Sequence, residues 1–225
     1  MPNWCSTQMT ITGPEDSCRS FISRILVKQE EEDTYDFSTP APYEITGKRI
    51  VTSLHIIEGL LPCPAPLYDV RSPLRDEDQA QADANQLLYG ATDWHSWQDM
   101  NWGVKWGDCH TAFVEEALLS KLLAVTYSYD TPWSTATTAF LSISGMFPEL
   151  RFDFFHEEEA GFFQGCEVIK NGSVVLSSFF APNDYNEEAP SDFYSAEYQQ
   201  WSDAFDKWRQ LKQEAIDAQV DAIDC

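Results

Sequence analysis

A chain of 225 residues and 25.7 kDa suits one elaborated domain or two small ones. Its 14 Lys and Arg against 37 Asp and Glu leave a net charge of -23, which sets the molecule's field against direct binding to nucleic acid or to an anionic membrane and favours a basic partner. With 43% hydrophobic and 14% aromatic residues, it carries too much core material for a disordered acidic chain.

Met1-Pro2-Asn3-Trp4 has no basic segment before an apolar run, and nothing approaches the roughly 18 apolar residues of a membrane span, so the expected location is cytoplasmic. Residues 5–12 alternate Cys5, Thr7, Met9 and Ile11 with polar residues and read as a strand, which Gly13-Pro14 turns. From Glu15 to Lys28, Cys18, Phe21, Ile22, Ile25 and Leu26 recur at helical spacing. A charge run from Glu30 to Asp36 leads to the apolar segment Ile50 to Leu61, closed by Pro62, Pro64 and Pro66 and expected as the second strand of the sheet. Residues 71–107 are polar and helical in composition, at Asp76 to Leu88 and Asp93 to Asn101, and read as an insertion ending in Trp102-Gly103-Val104-Lys105-Trp106.

Phe113 to Lys121 reads as a short helix or an irregular piece, and Leu123, Val125, Tyr127 and Tyr129 then alternate as strand three. Thr135 to Phe147 is expected as a helix, Leu150 to Phe155 as strand four, and Lys170-Asn171-Gly172 as the turn of a final hairpin. Ser191 to Asp224 is an acidic helical stretch in which Trp201, Phe205, Trp208 and Leu211 repeat at spacings of three and four. The expected fold is α+β: a ferredoxin-like βαββαβ sandwich over residues 1–180 with a helical insertion and an extra β-hairpin, and an acidic C-terminal helix within 181–225.

Four pieces occur in one order: Met1-Pro2-Asn3-Trp4-Cys5-Ser6, the Trp102 to Trp106 segment, Asp130-Thr131-Pro132-Trp133, and Glu158-Glu159-Ala160-Gly161-Phe162-Phe163-Gln164-Gly165. Over residues 1–180 the chain resembles the YubB-like (Api-type) proteins of plasmids and bacteriophages. The resemblance implies a ferredoxin-like fold, no settled biochemical role, and a mobile element that deals with a host. The acidic tail and the run Glu30 to Asp33 lie outside the shared motifs.

Enzyme signatures are missing: no nucleophile elbow, P-loop or Rossmann glycine pattern occurs. Cys109-His110 beside Asp108 is the nearest approach to a Cys-His site, yet neighbours in a strand point to opposite faces. Cys63, His95, Cys109 and His110 lack the short-spaced pairs of a zinc site. The six cysteines, Cys5, Cys18, Cys63, Cys109, Cys166 and Cys225, form no C-x-x-C pair and read as free thiols, so neither metal nor cofactor is expected. Trp4, Trp102, Trp106 and Trp133 would suit base stacking, but the negative field favours packing. Gly161 and Gly165 read as backbone positions for a tight turn and a close approach.

The candidate partner-binding residues are carboxylates. They are Glu30, Glu31, Glu32 and Asp33 in the first run, Glu157, Glu158 and Glu159 at an expected solvated turn, and Asp203, Asp206, Glu214, Asp217, Asp221 and Asp224 on the C-terminal helix. From Glu214 through Asp217 and Asp221 to Asp224 the carboxylates recur every roughly 4.5 to 6 Å, a looser ladder than the about 3.4 Å spacing of phosphates on one DNA strand. The leading expectation is therefore a non-enzymatic acidic inhibitor or decoy that occupies a basic, nucleic-acid-binding surface of a host defence protein, of anti-CRISPR or anti-restriction type, in the host cytoplasm. A nucleotide or small-ligand binding protein, possibly a hydrolase, is the first alternative. A self-assembling accessory protein, dimerising through Ile216, Val220 and Ile223, is the other.

Overall fold

The computed structural model describes residues 2–35, 45–185 and 187–223. Strand β1 (Trp4–Pro14) buries Cys5, Thr7, Met9 and Ile11 on one face, as its alternation predicts. Helix α1 (Glu15–Ile25) starts immediately after Pro14 with Glu15 and Asp16 in its first turn and Arg24 in its last, charges that complement the helix dipole. It ends three residues earlier than expected. Leu26 is already extended, and it opens β2 (Leu26–Tyr35), which pairs antiparallel with β3 (Ile45–Leu54). The run Glu30 to Asp33 is thus strand backbone, with Glu31 opposite Arg49 and Glu32 opposite Lys48 in the register. The side chains from 28 to 52 lie outside the described residues.

This two-stranded ribbon is separate from the main sheet, which corrects the assignment of Ile50 to Leu61 as its second strand. The segment changes period at His55: β3 stops at Leu54, and α2 (Ile56–Leu60) buries Ile56, Ile57 and Leu60. Its first turn is capped from far away in sequence. Ile56 N–H donates to Asp108 Oδ2 at 2.9 Å and Ile57 N–H to Asp108 Oδ1 at 2.7 Å. Two further helices follow, α3 (Gln79–Tyr89) and α4 (Trp94–Trp102). Asp93 and Ser96 form a capping box at the start of α4, and Gly103, at φ 74, closes it.

Strands β4 (Cys109–Leu119) and β5 (Leu122–Pro132) form a hairpin, so the piece expected as helix or irregular is the second strand of the fold. Helix α5 (Thr137–Met146) and strand β6 (Arg151–Glu158) follow as expected. Then β7 (Gln164–Lys170) and β8 (Ser173–Phe180) turn through Asn171 and Gly172, both at positive φ, the geometry Asn-Gly favours. The chain ends in α6 (Ala196–Asp221).

The main sheet is antiparallel, with order β4-β5-β1-β6-β7-β8. Leaving out residues 26–108, the order β1-α1-β4-β5-α5-β6 is the ferredoxin-like βαββαβ unit, widened on the β6 side by the β7–β8 hairpin. The inward faces of β1, β5 and β6 pack Met9, Ile11, Tyr127, Phe152 and Phe154 against Phe21 of α1 and Phe140 of α5, with Phe140 and Phe154 ring centroids 4.7 Å apart. Each such ring contributes roughly 1.5–3 kcal/mol through burial.

Candidate functional site

The even-numbered residues of β1, including Ser6, Gln8 and Thr10, face away from α1 and α5. Helix α6 covers part of this second face. Trp208 meets Phe180 of β8 at 5.6 Å, Tyr185 packs on Trp201, Phe205 and Trp208, and Ile216 is 4% exposed. Arg209 Nη2 donates to Glu157 Oε1 at 2.6 Å and to Gln164 Oε1 at 2.8 Å. Arg151 Nη1 donates to the carbonyl of Ile223 at 3.1 Å. Leu211, expected on the apolar stripe, is exposed instead. The stripe of Ile216 and Val220, expected for helix-to-helix contact, faces the chain's own sheet, where Val220 borders a cavity with Gln8, Thr10 and Cys166.

Docking α6 this way turns Asp203, Asp206 and Glu214 outward, while Asp217 and Asp221, though exposed, stand at the edge of the cavity beside Val220. At about 100° per residue, Asp203, Asp206, Glu214, Asp217 and Asp221 fall within an arc of about 80° opposite Phe205 and Ile216. All five are exposed, and among the described residues none is in an ion pair. Gln199, Gln210 and Gln213 donate to Asp203, Glu214 and Asp217 at 2.8, 2.8 and 2.7 Å, which orders the carboxylates without neutralising them. Two of the nearby cations lie over aromatic faces, Arg209 5.8 Å from the Phe205 ring centroid and Lys212 5.7 Å from that of Trp208, and Lys207 is exposed beside the stripe. Asp224 lies outside the described residues.

The run Glu157 to Glu159 is not one acidic surface. Glu157 is tied to Arg209, while Glu158 is 3% exposed and accepts the N–H groups of Ala160 and Phe162 at 3.0 and 3.1 Å. Glu159 alone points into solvent. Glu158 is a turn cap, and Gly161 at φ +75 completes that turn. Gly165 is a close approach, since a Cβ there would lie 2.2 Å from the Ser178 carbonyl oxygen.

Among the described residues all five cysteines are free thiols, Cys109 half-buried and the others buried, and they are hard to ionise; Cys225 lies outside the described residues. Burial pushes Cys5, Cys18 and Cys63 up to about 11, and Cys109 and Cys166 also rise. His110 turns to Asp130, with Nδ1 2.9 Å from Oδ2. Among the described residues no group of three or more His, Cys, Asp or Glu is arranged to hold a metal ion.

One polar chain escaped the sequence reading. Thr7 Oγ1 lies 2.9 Å from His156 Nδ1, His156 Nε2 lies 3.6 Å from Glu167 Oε2, and the Thr137 hydroxyl donates to that oxygen at 2.5 Å. The order hydroxyl, imidazole, carboxylate resembles a hydrolase relay, but Thr7 and His156 are buried, at 3% and 2% exposed. The alternation of Phe152, Phe154 and His156 is the signal that would have placed the imidazole inward.

The tryptophans divide into two groups. Trp102 is 1% exposed and donates through Nε1 to the Leu61 carbonyl at 2.9 Å, as the packing expectation requires. Trp106 and Trp133 are 45% and 52% exposed, which corrects that expectation for them. Their rings lie 6.3 Å apart, and both residues adopt positive φ, 71 and 65°, a conformation disfavoured for bulky side chains. The motifs at Trp102 to Trp106 and Asp130 to Trp133 therefore converge on one corner.

Residues 101–197 match the family model for the ferredoxin-like domain in Api92-like protein. That span, less than half of the chain, holds β4 through β8 with α5. The crystal structure of a protein api92 from Yersinia pseudotuberculosis is similar over 84% of this chain and 100% of that chain, at 9% identity and a TM-score of 0.43. No curated protein matches the chain. Among the described residues no helix is long and apolar enough to cross a membrane.

Proposed function

We propose that the protein is a non-enzymatic, acidic interaction protein that docks on a basic, nucleic-acid-binding surface of another protein. The observation that carries this reading is the exposed acidic stripe of α6, running from Asp203, Asp206 and Glu214 to Asp217 and Asp221 at the cavity's edge, with no ion pair to any of the five among the described residues. A net charge of -23 adds long-range attraction to such a surface and repels nucleic acid itself. A host defence protein is the partner class that the resemblance to mobile-element proteins favours. A phosphate-bearing ligand fits the second sheet face poorly, because the cavity of about 300 Å³ beneath α6 is bordered by Asp153, Asp217 and Asp221.

The test is capture from bacterial lysate by the full chain and by a variant with those five acids changed to Lys. Bound proteins should elute with rising salt, be displaced by duplex DNA, and be missing from the variant. Proteins that stay bound in high salt, or that DNA does not displace, would sink the reading.

A further inference from the structure

Between α2, α4 and the loop after α4 lies a cavity of about 340 Å³, lined by Glu58, Tyr68, Trp94, Gln98, Trp102 and Trp106. Its walls are mostly aromatic. Tyr68 and Trp94 stand nearly parallel, 10° apart in plane with centroids 6.3 Å apart. Gln98, itself buried, fixes two walls: its Nε2 donates to the Tyr68 hydroxyl at 3.1 Å, and its Oε1 accepts the Trp106 N–H at 3.0 Å. The left-handed backbone at Trp106 holds the third ring at the rim although that conformation is disfavoured.

The charged group lining this cavity is a carboxylate. Glu58 has no ion-pair partner among the described residues, and burial pushes its pKa up against a backbone hydrogen bond from Cys63. A cation brought to it would relieve that cost. The indoles themselves attract positive charge: Lys105 Nζ lies 4.5 Å from the Trp106 ring centroid and 5.5 Å from that of Trp94, although Lys105 does not line the cavity.

We propose that this cavity receives an arginine side chain from a protein partner, the guanidinium displacing Lys105 from the faces of Trp94 and Trp106 and taking Glu58 as its counter-ion. A guanidinium is planar and weakly hydrated, so it stacks on indole while donating to a carboxylate, which an ammonium does less well. A phosphate is opposed by Glu58 and by the chain's net charge. Only the source of the arginine rests on the basic-partner reading above; the cage stands on its own geometry.

The experiment titrates N-acetyl-argininamide onto the full chain and follows tryptophan fluorescence and the indole N–H resonances, with N-acetyl-citrullinamide as the uncharged isostere. Saturable shifts of the Trp94 and Trp106 signals are expected, with citrulline about tenfold weaker or worse. Glu58→Gln should weaken arginine binding about tenfold, and Trp106→Leu, at an exposed ring, should remove most of it. Absence of saturation, equal binding of citrulline, or an unchanged affinity in Glu58→Gln would overturn the cage, as would binding of a nucleoside monophosphate in place of arginine. Because the titration contains no partner, its failure leaves the α6 reading standing, and failure of the lysate test leaves the cage standing.

Discussion

Arg209 of α6 and Glu157 of β6 meet at 2.6 Å, so the last helix is held to the sheet by this ion pair, by hydrogen bonds such as that of Arg209 to Gln164, and by apolar contacts. The pair is partly exposed, with side-chain exposures of 30% and 45%, and pairs of this kind contribute about 0.2–1 kcal/mol. Arg209→Met should therefore change stability by less than about 1 kcal/mol. Ile216→Ala removes a buried anchor and should cost about 2–5 kcal/mol locally, seen as faster amide exchange in α6 while β1 and β5 stay protected. Equal loss of protection in β1 would mean that α6 and the sheet unfold as one unit.

Trp102 and Trp133 should behave differently. Trp102→Ala empties a buried site and breaks the bond to Leu61, for about 3–5 kcal/mol. Trp133→Ala, at a half-exposed ring, should cost about 1 kcal/mol. Chemical denaturation of the two variants measures this, and equal costs would place the Trp133 ring in the core.

Asp108 holds the first turn of α2 by two backbone N–H groups and also accepts the Thr111 hydroxyl at 2.6 Å. Asp108→Ala leaves those donors without a partner and should cost about 1–3 kcal/mol, and Asp108→Asn, which keeps one acceptor oxygen, less. A thermal midpoint unchanged in the alanine variant would show that water replaces the carboxylate.

Acid should weaken the fold through His156. Burial pulls its pKa below 6.5 although Glu167 acts to raise it, so the unfolded chain takes up a proton that the folded chain refuses. That stability is present above 6.5 and lost as pH falls from there through the folded value. Glu167 extends the loss below 4.5: burial alone would raise its pKa, but contacts with His156 and Thr137 outweigh it. Asp153, raised by burial, works in the opposite sense and shallows the acid limb. At the alkaline end the buried thiols of Cys5, Cys18 and Cys63 lose their contribution as pH rises from 9.0 toward about 11. Melting followed by circular dichroism across pH should show both limbs, and His156→Gln should flatten the part of the acid limb that begins at 6.5. An equally steep acid limb in that variant would assign it to other groups.

Where one face of an element is buried and the other wet, its period was readable, as in β1, α1, β5 and the apolar side of α6. Strand β4 offered no such signal: it lies at the edge, nearly all its residues are exposed, and two irregularities break its pairing with β5. Ile50 to Leu61 is apolar on both sides of His55, which hides the change from strand to helix, and the cap that starts α2 comes from Asp108, about fifty positions on. Glu158 read as wet because its neighbours are charged, whereas two turn N–H groups draw it inside. The aromatic cage was invisible because Glu58, Trp94 and Trp106 meet only after the segment 26–108 has folded back on itself.

The exposed edge of β4 has a consequence for how the protein must be handled. Val114, Leu118 and Leu119 are exposed along a strand that, among the described residues, pairs on one side only, leaving a template on which a second chain can pair. At low ionic strength the charge of -23 on every copy keeps such edges apart. Salt shortens the range of that repulsion to about 8–10 Å near physiological strength, and less above it. Solubility should therefore fall where most acidic proteins stay dispersed, in concentrated solutions at high salt, with the Leu118-Leu119 edge as the site where the growing β-structure begins.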